Sequence, residues 1–150
     1  MTSNVRDNFG NLLSQAGRNW RRALDLRLRP FGLTDATWLP LLQLSRAETP
    51  MRQKDLAEAL FLDSSSVVRL LDALQTSGFI ERREHPEDRR VKTIVLTDAA
   101  QGVLVQVNQV ASEVRKQVLS GLSDEELEVA SRVMSNICAS IDLPETEDTV

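Results

Sequence analysis

The sequence holds one cysteine, one histidine and no tyrosine, and aromatic residues make up only 4% of its 150 positions. A single Cys (Cys138) cannot build a disulfide framework or a zinc site. With one His (His85), metal-ligand clusters and Cys/His nucleophile pairs are out of reach as well. No paired nucleophile and base is found, so the expectation is no enzymatic activity, no cofactor and no metal. No apolar run is long enough to span a bilayer, and the N-terminus has no apolar signal core, which predicts a cytoplasmic protein without membrane contact. Internal repeats and low-complexity stretches are absent too. What is present is an ordinary globular composition, 41% apolar and 27% charged, at a length that buries a core.

The net charge of −4 is unevenly spread. Residues 1–51 carry seven Lys/Arg against four Asp/Glu, residues 52–92 eight of each, and residues 93–150 three against ten. The acidity is confined to the C-terminal third. A DNA reader needs a local basic surface rather than a basic average, so the sum does not veto one.

Apolar residues at Phe9, Leu12, Leu13, Ala16, Trp20, Ala23 and Leu24 recur at helical steps and predict a first helix ending near Pro30. Thr34, with Asp35 in the first turn, opens a second helix in which Pro40 predicts a kink. A short helix, Gln53 to Leu60, precedes a longer one from Ser64 to Ser77, capped by Asp63 and stopped by Gly78. On the longer helix Val67, Leu70, Leu71 and Leu74 form an apolar stripe, while Ser65, Val68, Arg69 and Asp72 lie on another face. Phe79–Glu84 and Val91–Leu96 carry the only β signal, separated by the polar insert HPEDRR. Thr97 caps a long helix, and Ser123 with Glu126 forms the capping box of the last, with Leu122 and Leu127 as its staple.

Two short helices joined by a tight turn, followed by a hairpin with a charged tip, outline a winged helix-turn-helix. The fold class expected is mainly α with a small β-hairpin. Such modules read DNA, the second helix presenting polar side chains to base edges and the hairpin arginines reaching a neighbouring groove. They also serve as protein-interaction modules without DNA binding, and the neutral balance over 52–92 keeps that alternative open. Arg69 reads as a base or phosphate contact, or as an arginine paired with Asp72 or Asp63. Ser64, Ser65 and Ser66 read as capping hydroxyls, as phosphate contacts, or as both.

Three stretches together, QKDLAEAL, DSSSVVRLLDALQTSGFIER and PEDRRVKTIVLTDAA, resemble the MarR family of bacterial transcription regulators. The phrase RNWRRALDLRLRPFGLTDATWLPLLQL is similar to the SlyA branch of that family, and the resemblance covers roughly residues 9–142. It implies a homodimer that binds double-stranded DNA, with dimerisation helices at 5–33 and 98–142 and a winged helix-turn-helix at 34–97, while polar, acidic composition predicts a flexible tail at 143–150. Wide apolar stripes on the terminal helices (Phe9, Leu12 and Leu13; Val133, Ile137 and Ile141) independently call for a partner surface. The resemblance makes Arg69 a DNA contact, Asp88 the brace of the wing and Arg89, with Arg90 beside it, the minor-groove reader. It also implies a pocket for small aromatic carboxylates lined by Arg18 and Trp38, an arginine beside an indole suiting such an anion. Core packing is the plain reading of Trp20 and Trp38, and also of Cys138 among Met134, Ile137 and Ile141. His85 reads as incidental. Phe61 stands where the family often has Gly, and a bulky residue is costly at positive φ, so a different turn geometry is expected there.

Overall fold

A computed structural model describes residues 2–141, with side chains from residue 4 onward; the tail expected at 143–150 lies outside them. The order is α1 (Thr2–Leu28), a 3-10 turn (Arg29–Phe31), α2 (Asp35–Arg46), α3 (Gln53–Leu60) and α4 (Ser64–Thr76). A hairpin follows, β1 (Ile80–Glu84) and β2 (Lys92–Leu96), then α5 (Asp98–Leu119) and α6 (Asp124–Ser140). The fold is thus mainly helical with one antiparallel hairpin, the winged helix-turn-helix class expected from the sequence.

The chain divides into two compact units between Val114 and Arg115, inside α5. The first unit contains two apolar clusters that share α2. Leu41 and Leu44 of α2 meet Leu56 of α3, Val67, Leu71 and Leu74 of α4, Ile80 of β1 and Ile94 of β2. Trp38 and Leu42, a turn away, meet Leu24 and Leu28 of α1 and Val107, Val110 and Val114 of α5. Helical spacing gives α2 these two apolar faces, which joins the reading head to the long helices. Pro40 is buried within α2, and the helix runs through it to Arg46. The ring removes only the donor to the Ala36 carbonyl, close to the helix start.

Local chemistry accounts for the ends of the elements. Gly78 (φ 82°) takes the left-handed position after α4, where Phe79 N–H donates to the Leu74 carbonyl at 3.0 Å. In the hairpin Ile80 pairs with Leu96, Arg82 with Ile94 and Glu84 with Lys92. A third, short pairing was not legible in the sequence: Arg52 bridges Thr93, and Ile94 N–H donates to the Met51 carbonyl at 2.9 Å. The loop before α3 thereby extends the sheet and fixes the wing to the helix-turn-helix.

In the second unit, α6 opens on the expected capping box. Glu126 N–H donates to Ser123 Oγ at 3.2 Å, and Ser123 N–H to Glu126 Oε2 at 2.8 Å. None of its side chains is buried, so the core reading of Cys138 does not hold in the single chain, where the thiol is exposed. Its stripe has the helical spacing, with Leu127 and Ile137 half-buried and Val133 and Met134 exposed.

Candidate nucleic-acid interface

The start of α4 is organised by one carboxylate. Asp63 accepts the Ser66 backbone N–H at 2.7 Å and the Ser65 hydroxyl at 2.9 Å. The Ser66 N–H bond, then the hydroxyl contacts, hold the Asp63 carboxyl below the usual carboxylate range, and nearby Arg69 adds a smaller pull. The hydroxyl of Ser65 and the N–H of Ser66 therefore serve the cap, while Ser64 stands exposed beside them.

Val67, Leu71 and Leu74 are buried along one side of α4, which turns Ser65, Arg69 and Asp72 outward. Arg69 is exposed and makes no hydrogen bond or ion pair with any described residue. Among the described residues no ion pair joins Arg69 to Asp63 or Asp72: Asp72 is held by Arg82 of β1 at 2.5 Å, and Asp63 feels Arg69 only through its charge.

Arg82 was not singled out from the sequence, yet it ties the wing to α4. Strand alternation was the available signal, since Arg82 lies two residues from buried Ile80 and on the same face. Its side chain is only 22% exposed, and its Nε is buried without a partner. Arg52 was missed as well. It clasps Asp55, whose carboxyl is held low mainly by that side-chain bond.

At the wing tip Asp88 accepts the Arg90 backbone N–H at 3.0 Å, with the Arg90 Nε 3.5 Å away. His85 Nδ1 accepts the Glu87 N–H at 3.1 Å, so the histidine helps shape the turn. Arg89 is exposed and, like Arg69, has no hydrogen bond or ion pair among the described residues. Asp88 thus braces the turn and draws Arg90 toward itself, leaving Arg89 as the unengaged cation.

Arg18 and Trp38 do not share a surface. Arg18 is exposed on α1, donating to Ser14 Oγ at 2.7 Å. Trp38 is 1% exposed, and its Nε1 donates to Asp25 Oδ1 at 3.4 Å. An open groove of about 720 Å³ runs along α1, lined by Arg18, Arg21, Arg22 and Asp25, with Asp35 and Phe61 also in its wall. Trp38 is not part of its wall.

Phe61 departs from expectation. The turn keeps the left-handed geometry (φ 55°, ψ 40°) despite the bulky residue, which is 84% exposed. A non-glycine residue there costs about 1–2 kcal/mol. The exposed phenyl also forgoes roughly 1.5–3 kcal/mol of burial.

Among the described residues no helix is long and apolar enough to cross a membrane, and no group of three or more His, Cys, Asp or Glu is arranged to hold a metal ion. Residues 31–91 match the sequence model of the MarR family. Among solved structures the chain is similar to the transcriptional regulator PA3341, with 39% identity over 87% of this chain and 96% of that one and a TM-score of 0.82. The fold is shared with CouR from Rhodococcus jostii RHA1, solved with p-coumaroyl-CoA bound, at 24% identity over 93% and 98% of the two chains (TM-score 0.78). It is also shared with MarR from E. coli, at 23% identity over 85% and 95% (TM-score 0.70). A reading head of this geometry and a relative at 39% identity across almost its whole length lead to one assignment: the chain belongs to the MarR family of transcriptional regulators.

Proposed function

We propose that this regulator is a homodimer of the SlyA-like branch that binds double-stranded DNA sequence-specifically, with α4 in the major groove and the wing in the minor groove. The observation that carries the reading is the pair of exposed, unengaged guanidinium groups, Arg69 on a rigid helix and Arg89 on a hairpin tip. A guanidinium with no hydrogen bond or ion pair among the described residues is free to exchange water for base edges or phosphate. Ser64, Ser65 and Ser66 contact phosphate at the start of α4, Asp88 holds the wing turn, and Arg90 adds positive charge beside Arg89. The two-fold partner covers the apolar side chains left bare on α1 (Val5, Phe9, Leu12 and Leu13) and on α6 (Val129, Val133, Met134 and Ile141). Residues 5–33 and 98–142 act as the dimerisation helices, and residues 34–97 as the reading head.

The groove beside Arg18 takes small aromatic carboxylates, and their binding relieves DNA binding. Support comes from the guanidinium groups along its wall and from CouR, a protein of the same fold that is bound to an aromatic acyl thioester. Arg18 supplies the charge pairing, and Trp38 supports the wall from behind through Asp25.

Selection from random duplexes, followed by titration of Arg69→Ala and Arg89→Ala at several salt concentrations, tests the reading. Arg69→Ala is expected to cost about 1–3 kcal/mol on the selected site and to relax preference at one position. Arg89→Ala is expected to weaken selected and scrambled duplexes together, and to flatten the salt dependence by about one phosphate per wing. If neither substitution changes either affinity, the module contacts protein rather than DNA.

A further inference from the structure

We propose that Phe61, rather than Trp38, is the aromatic contact for a monoanionic aromatic carboxylate in the arginine-lined groove. The proposal rests on the reading of that groove as the effector site. Trp38 cannot serve as a stacking surface, because the indole is 1% exposed and its N–H is already given to Asp25.

Phe61 is the opposite case. The residue is 84% exposed, yet it occupies a left-handed backbone position that glycine adopts without strain. Neither packing nor backbone geometry within the chain accounts for a phenylalanine there. Strained residues of this kind cluster at ligand clamps and switch segments, where an interaction outside the folded chain compensates them.

The surroundings select the ligand. Arg18, Arg21 and Arg22 lie at helical spacing on the α1 wall, so their side chains share one side of the groove. Asp25 and Asp35 line it too, and Asp25 is already paired with Arg29 at 3.0 Å, so the wall keeps an excess of positive charge. That charge suits a carboxylate, which one guanidinium can hold through two parallel hydrogen bonds. Phe61 supplies the aromatic contact, and its ring edge or face receives an aromatic body better than an aliphatic one.

Position gives the contact a consequence for α4. Phe61 N–H donates to the Glu58 carbonyl and Leu62 N–H to the Ala57 carbonyl, closing α3, and Asp63 caps α4 two residues further on. A ligand that shifts the ring therefore acts on the turn from which the DNA-reading helix starts.

The test uses the full chain, titrated by NMR with benzoate and with cyclohexanecarboxylate, two anions of equal charge and similar size. The wild type is expected to prefer benzoate by about fivefold. Phe61→Gly and Phe61→Leu are each expected to lose that preference while remaining folded, with Phe61→Gly melting no lower than the wild type. An unchanged preference in both variants overturns the proposal and leaves the groove reading standing. A wild type that binds DNA but neither anion overturns the groove reading together with the proposal. A Phe61→Gly protein with unaltered anion binding and a lower sedimenting mass also overturns it, and assigns the ring to a contact between copies.

Discussion

Helices α4 and α6 carry nearly the same sequence signal and meet different fates. Both have apolar residues at three- and four-residue steps, and both are opened by a side-chain cap, Asp63 for α4 and Ser123 for α6. Yet α4 buries Val67, Leu71 and Leu74, whereas α6 buries nothing and leaves Val129, Val133 and Met134 open. An amphipathic stripe states that a face needs covering and is silent about what covers it. For α4 the cover is β1, β2 and the neighbouring helices of the same chain. For α6 we assign it to a second copy.

The largest expected effect tests the internal side of this contrast. Leu71→Ala is expected to lower the stability of the chain by about 2–5 kcal/mol, since a fully buried leucine loses contacts and leaves a cavity. Urea unfolding monitored by circular dichroism measures it. If α4 were as weakly covered as α6, the loss would fall well below that range.

A smaller effect is expected on the other side. Val133→Glu puts a charge on the stripe of α6 and is expected to weaken the dimer by about 1–3 kcal/mol, twice over in a two-fold interface. The wild-type melting temperature is expected to rise with protein concentration, and the variant to lose much of that dependence. Sedimentation at micromolar concentration gives the parallel readout. A wild type that sediments as one chain would remove the contrast altogether.

The smallest effect sharpens the comparison of the two caps. The carboxyl of Asp63 is held below its usual value of 3.8 in the folded chain, chiefly by the Ser66 N–H, so it binds protons less readily than in the unfolded chain. Its contribution is therefore complete above that value and is lost as the pH falls through the lower, folded one. Asp63→Asn keeps an acceptor for the cap but cannot titrate. Its stability is expected to fall less steeply than that of the wild type below about pH 4, in unfolding curves taken from pH 5 downward, whereas equal slopes would mean that the cap is not the source.

Much of the fold was legible because local rules wrote it. Gly78 after α4, the box of Ser123 and Glu126, and the charged insert between two short apolar strands each mark an element end through backbone geometry alone. The exposure of Arg89 was legible too, since a charged residue at a hairpin tip has few neighbours to engage it. Arg82 was not, because its role depends on Asp72, ten residues away on another element. Phe61 was legible as a departure but not in its outcome. Its φ penalty favoured a different turn, and the closing bonds of α3 with the cap of α4 held the left-handed one.

The sequence by itself determined the elements, their caps, the apolar face of each helix and the positions of the arginines. These follow from periodicity and from hydrogen bonds that span a few residues. The tertiary structure decided which faces found cover, sealed Trp38 behind Asp25, and brought Phe61 to the arginines of α1. It also paired Asp72 with Arg82, leaving Arg69 with no hydrogen bond or ion pair among the described residues. Those outcomes depend on contacts between residues far apart in the chain, and a charge or an apolar stripe does not name its partner until the fold places one beside it.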